Sequence, residues 1–154
     1  MTDINELQSP FLIDAGIAVD DRGQLMFAND FDFKKYGIRR FYAVTNHKQG
    51  FIRAWHGHKN EAKFVLVAKG ATVVNIIKID NWENPSKDLE IQKFVLSAEK
   101  PSILYIPAGY VNGFMTLTQD TQVFFFSTST IEESKGDDIR FESRYWNPWE
   151  IVER

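Results

Sequence analysis

An all-β domain, either a sandwich or a closed barrel, is predicted by three observations. Short runs of β-branched and aromatic residues recur along the whole 154-residue chain. Gly, Pro, Asn and Asp punctuate them, and no segment repeats its apolar residues at helical spacing. The runs are Phe11–Val19, Gln24–Asn29, Ile38–Thr45, Phe51–His56, Lys63–Ala68, Thr72–Ile79, Leu89–Leu96, Ile103–Ile106, Gly113–Leu117 and Gln122–Thr128. Asp21-Arg-Gly23, Lys48-Gln-Gly50, Lys69-Gly70 and Pro107-Ala-Gly109 supply turns between them. A short helix is expected at Ile131–Ser134 or Phe31–Lys35. Runs such as Phe64-Val-Leu-Val67 and Val123-Phe-Phe-Phe126 are apolar on both faces. One face can fill a barrel while the other meets a second layer, within the chain or in a partner.

Composition narrows the function. Aromatic residues make up 14% of the chain, with thirteen Phe and four Trp, which predicts aromatic surface in a pocket or subunit interface. The formal net charge is −3 and no basic stripe runs along the chain, which argues against a nucleic-acid partner. Cysteine is absent, so disulfides and thiolate metal sites are excluded. No apolar run approaches ~20 residues and no basic segment precedes an apolar one, so a cytoplasmic location without membrane contact is expected. The chain reads as one domain over residues 1–154, with no repeat or linker dividing it.

The chemically loaded stretch is Arg53-Ala-Trp-His-Gly-His-Lys59. His56 and His58 lie two apart on a predicted strand and project from the same side. Two imidazoles there suit a metal site, an acid/base site, or two half-exposed surface histidines. The region resembles metal-binding cupins, whose H-x-H is followed, after three or four intervening residues, by a Glu, and further on by a His after P-x-G. Here Ala62 and Lys63 occupy the later positions, Glu61 comes too early, and Asn112 stands where the last His belongs. A cationic Lys beside two histidines opposes a divalent ion, so no metal and no other cofactor is expected. Proton transfer fits better: a neutral His abstracts a proton beside a carbonyl, and Lys63 stabilises the enolate oxygen.

The ordered set Asp21-Arg-Gly23, Phe41-Tyr42, Gly50-Phe-Ile-Arg-Ala-Trp-His56, Ala62-Lys-Phe-Val65, Gly70 and Ile106-Pro-Ala-Gly-Tyr-Val-Asn-Gly-Phe114 resembles the dTDP-4-dehydrorhamnose 3,5-epimerase family. It resembles equally the sugar 3,4-ketoisomerases, related nucleotide-sugar cupins. The resemblance covers roughly residues 18–130 and implies a cupin fold, the double-stranded β-helix or jelly-roll barrel. It implies as substrate a nucleoside-diphosphate 4-keto-6-deoxy sugar, used in glycan-precursor synthesis. It makes His56 the base and Lys63 the group that steadies the enolate, with His58 as a second proton carrier in the ketoisomerase reading. Arg22 and Arg53 become diphosphate ligands, and Trp55, Tyr110 and Asn112 candidate contacts to base or sugar. Strict strand alternation sets Arg53 opposite His56, so a bulge or the strand end must reorient one of them to bring both to one site.

Some positions depart from the epimerase pattern. The far-side acid, a Tyr in that family, is replaced by Phe125, and a phenyl ring has no proton to give. Asp137 or Asp138 would have to serve as the carboxylate partner of His56. The histidine stretch is closer to the ketoisomerases, while Pro107–Phe114 and the Arg144–Trp149 tail are closer to the epimerases. The resulting expectation is an isomerase: an epimerase at C3, or at C3 and C5, with a 3,4-ketoisomerase and a non-catalytic sugar-binding cupin as alternatives. The resemblance further implies a homodimer that exchanges its N-terminal strand, and residues 131–154 are expected to pack on the barrel.

Overall fold

The computed structural model describes residues 4–154. Its strands are β1 (Phe11–Asp14), β2 (Gly16–Asp20), β3 (Gly23–Phe27), β4 (Arg40–Thr45), β5 (Ile52–Gly57), β6 (Lys63–Lys69), β7 (Ala71–Lys78), β8 (Gln92–Ser97), β9 (Ser102–Ile106), β10 (Tyr110–Thr116), β11 (Gln122–Ser127) and β12 (Ile139–Arg140), with one helix, α1 (Ile131–Lys135), between the last two. Two five-stranded sheets, ordered β1-β9-β6-β11-β4 and β12-β5-β10-β7-β8, face one another, and β2 and β3 form a separate hairpin. This is the nearly all-β cupin architecture that the sequence predicts.

The doubly apolar strands are explained by three layers of core. Between the sheets lie Val65, Val67, Val74, Ile76, Leu104, Phe114, Val123 and Phe125. Alternate residues of the second sheet, Trp55, Val73, Ile77, Val111 and Met115, turn outwards and are covered by Trp146 and Trp149 of the tail. On the other side, Ile13, Phe64, Ile103 and Tyr105 pack with Tyr36. The period of two thus sends each strand's side chains to two different apolar layers.

Three elements differ from the sequence expectation. The run Phe11–Val19 divides at Ala15: β1 pairs with β9 of its own chain, whereas β2 pairs only with β3. Asp32 accepts hydrogen bonds from the amides of Lys34 and Lys35, and the Phe31–Lys35 segment folds into turns instead of a helix. The helix forms at the other candidate position, where Thr130 and Glu133 make a reciprocal capping box. No local signal marks the two-residue β12, which exists through its pairing with β5.

A candidate active site between the two sheets

The mouth between the sheets opens into a cavity of about 460 Å³. The first sheet contributes Arg40, Tyr42, Val44, Lys63 and Phe125; the second contributes Arg53, His56, Asn112, Phe114 and Arg140. His58, just beyond β5, and Ile131, Ser134, Lys135 and Asp138 complete the lining. Phe114 and Phe125 belong to the interior core as well, so the cavity stands on closely packed side chains.

A bulge brings Arg53 and His56 to the same site. Asn112 pairs with His56 and Phe114 with Arg53, so two steps along β10 match three along β5. That mismatch resets the alternation, turning Arg53 to the cavity and Trp55 to the outer layer. The peptide bond between Ala54 and Trp55 at this bulge is cis. Gly113 lies across from it because a Cβ there would come within 2.5 Å of the Ala54 Cβ.

The two histidines are held differently. Burial holds the His56 imidazole down at about 4, assisted by the charges of Arg140 and Lys63. The ring is therefore neutral throughout the physiological range. His58 is buried, and its Nδ1 lies 2.6 Å from the carbonyl oxygen of Asp137. A carbonyl only accepts, so Nδ1 carries the proton and Nε2 keeps a lone pair. That Nε2 is buried and has no partner. Burial lowers the His58 pKa too, and Lys63 adds to the effect.

Lys63 Nζ donates to the Tyr42 hydroxyl at 2.9 Å and lies over the Tyr42 and Phe125 rings, which stack at 5.0 Å. The phenol therefore receives its hydrogen bond from a cation and retains its own proton for donation. Cations dominate the lining: Arg40, Arg53, Lys63, Lys135 and Arg140 face the single carboxylate of Asp138. Asp138 itself pairs with Arg140 at 3.2 Å. Such local positive charge on a chain of negative net charge suits a polyanionic group.

Of the residues singled out from sequence, the cavity thus gathers His56, His58, Lys63, Arg53 and Asn112, whose amide donates to the His56 carbonyl at 3.2 Å. It does not gather Trp55, Tyr110 or Arg22. Trp55 is fully buried beneath the tail, its indole N–H donating to the Trp146 carbonyl. Tyr110 points instead to a second hollow beside Gln8, Lys78 and Tyr105. Arg22 pairs with Asp20 on the exposed β2–β3 hairpin. Neither aspartate hydrogen-bonds His56: Asp138 lies near it but is held by Arg140, and the Asp137 carboxylate accepts from the amides of Lys59, Asn60 and Glu61 at 2.7, 2.9 and 3.1 Å. Arg40, Arg140 and the role of Tyr42 escaped the sequence reading. For the first sheet a signal existed, since Arg40, Tyr42 and Val44 alternate on one face of β4.

A family model described as dTDP-4-dehydrorhamnose 3,5-epimerase matches residues 4–151. The chain belongs to that family. The dTDP-4-dehydrorhamnose 3,5-epimerase family is one of isomerases, and the chain stands among them. No curated sequence matches it significantly. Among solved structures, a dTDP-4-dehydrorhamnose 3,5-epimerase from Bacillus anthracis str. Ames with TDP and PPi bound superposes with a TM-score of 0.74 at 21% identity, covering 94% of this chain and 87% of that one. A dTDP-4-dehydrorhamnose 3,5-epimerase from Sulfolobus tokodaii gives 0.72 at 22% identity, with coverage of 90% and 80%. A sugar 3,4-ketoisomerase from Thermoanaerobacterium thermosaccharolyticum in complex with TDP gives 0.67 at 20% identity, with coverage of 90% and 93%. At these identities the structures share the fold. Among the described residues no cluster of three or more His, Cys, Asp or Glu could hold a metal ion, and no helix is long and apolar enough to cross a membrane.

Proposed function

We propose that the protein epimerises C3 of a nucleoside-diphosphate 4-keto-6-deoxy sugar by proton transfer through an enolate. The observation that carries this reading is the opposition of a neutral base and a phenol: His56 stands on the second sheet, and Tyr42, backed by Lys63, on the first. The C4 carbonyl acidifies the neighbouring C–H. His56 takes that proton, the C3–H electron pair moves into the enolate, and the negative charge on oxygen is stabilised by the Lys63 ammonium. Tyr42 returns a proton from the other wall, filling the role that Phe125 cannot. Arg40, Arg53 and Arg140 suit the diphosphate, since guanidinium groups bind phosphate oxygens in pairs. Arg22 joins them only if the hairpin of a second copy reaches over this mouth, which ties its role to the expected homodimer.

The test is incubation with dTDP-4-keto-6-deoxyglucose in D2O, reading deuterium by NMR. Incorporation at C3, abolished by His56→Asn and strongly slowed by Tyr42→Phe, is the expected result. Absence of exchange at every ring carbon overturns the proposal.

A second reading, 3,4-ketoisomerisation, is favoured by the partnerless Nε2 of His58, a residue that lines the same cavity as His56. It requires His58→Asn to be as damaging as His56→Asn and the product to carry its carbonyl at C3. Under the epimerase reading, His58→Asn retains C3 exchange.

A further inference from the structure

Among the described residues, Glu61 is the one fully buried carboxylate beside the cavity, yet it does not line it. Neither of its side-chain oxygens has a hydrogen-bond partner. Its neighbours are charged or chargeable: Arg40 Nη2 at 3.5 Å, Lys63 Nζ at 3.7 Å and His58 Nδ1 at 3.9 Å. A carboxylate taken wholly out of water is retained in a fold only where opposite charge offsets its lost hydration. Here two cations supply that offset, and both end in the cavity.

We infer that Glu61 is a positioning residue, the buried counterion that holds Lys63 and Arg40 at the cavity wall and biases His58 towards its Nδ1–H tautomer. Lys63 has one other polar contact, the Tyr42 hydroxyl, and Arg40 donates from Nε to the Ser129 carbonyl. Both of those partners are uncharged when they accept, so Glu61 supplies the negative charge that balances the pair from behind. Without it, two cations share a buried wall and repel each other. On the His58 side, the carboxylate and the Asp137 carbonyl both lie by Nδ1, so both favour the proton there and leave Nε2 basic. The backbone amide of Glu61 itself donates to the Asp137 carboxylate, which places the residue at the end of a held loop. Acting through Lys63 in this way rests on the proton-transfer reading; acting as counterion does not.

The test is a double-mutant cycle with Glu61→Gln and Lys63→Met, read by thermal midpoint and by C3 deuterium exchange. Gln keeps the shape of the side chain and removes only its charge. Glu61→Gln alone lowers the midpoint by several degrees, and the double variant recovers most of that loss because one cation leaves with the anion. Where Glu61→Gln alone does not fold, a folded double variant supports the assignment and an unfolded one overturns it. An equal loss with and without Lys63 also overturns it, since the Glu61 charge would then act independently of Lys63. In the single variant, C3 exchange at saturating substrate falls roughly 10- to 100-fold, because the enolate stabiliser loses its counterion, and TDP affinity falls by a smaller factor, because Arg40 is one of three guanidinium groups at the diphosphate. Exchange equal to wild type overturns the functional arm. Wild-type protein that exchanges nothing sinks the proposed reaction, and the stability cycle still decides the role of Glu61.

Discussion

Asp137→Ala is expected to loosen the loop that delivers both His58 and Lys63. The Asp137 carboxylate accepts three consecutive backbone amides, from Lys59, Asn60 and Glu61, and is itself 8% exposed. Hydrogen bonds to a charged acceptor each contribute about 1.5–3 kcal/mol. Lys59 and Asn60 are exposed, so their amides can turn to water when the carboxylate is removed. The Glu61 amide belongs to a buried residue and loses its partner outright. One full bond and two partly compensated ones put the loss at about 3 kcal/mol. At ~2–4 °C per kcal/mol for a chain of this size, the thermal midpoint falls by roughly 6–12 °C. Asp137→Asn keeps one acceptor oxygen and should lose about half as much. Urea titration checks the value independently, with an unchanged slope indicating that stability alone has moved. The carbonyl bond to His58 uses the backbone and survives both substitutions. A loss below about 1 kcal/mol for Asp137→Ala would refute the claim that this carboxylate organises the loop.

Other expectations follow from the same geometry. His56 titrates near 4 in the folded protein against 6.5 as its ordinary value. Its contribution to stability is therefore complete above about 6.5 and lost as pH falls from there towards 4, because the unfolded chain binds the proton first. Denaturation at pH 7 and pH 4.5 should show that loss, reduced in His56→Asn; an equal loss in the variant would contradict the assignment. In catalysis, a bound diphosphate brings negative charge near the imidazole and raises its pKa, so the acid limb of kcat should lie above that of kcat/KM. Coincident limbs would mean that the anion does not reach His56. Gly113→Ala sets a Cβ 2.5 Å from the Ala54 Cβ and 3.0 Å from the Trp149 ring, and should cost about 1–3 kcal/mol by overpacking, measured as a lower urea midpoint. Arg22→Ala should weaken TDP binding only where the protein is dimeric, a dependence that calorimetry across protein concentrations can read.

Much of the architecture is legible in the sequence. Strand positions follow from period-two patterning and turn residues, both of which act over a few neighbouring positions. The helix at Ile131 was legible for the same reason, since Thr130 and Glu133 cap it locally. Alternation also shows that a bulge or the strand end must reorient Arg53 or His56, and the register shift between β5 and β10 selects the bulge. Trp55 misled because its outward turn is a product of that bulge: the same register shift that brings Arg53 in sends Trp55 out. Tyr110 misled because a turn after Pro107-Ala-Gly has two ends of a barrel to choose from, and only the packed sheets select one.

By itself, then, the sequence determined the all-β class, the histidine pair, the Lys63 position and the family, all properties written in short segments or their order. Only the tertiary structure decided which of those side chains meet. It brought Tyr42 and Arg40 across from His56, engaged Asp138 with Arg140, and buried Glu61 behind Lys63. The physical reason is that these contacts join strands far apart in sequence and on different sheets. Local patterning says which way a residue faces its own strand's neighbours, whereas what it meets there depends on how both sheets close.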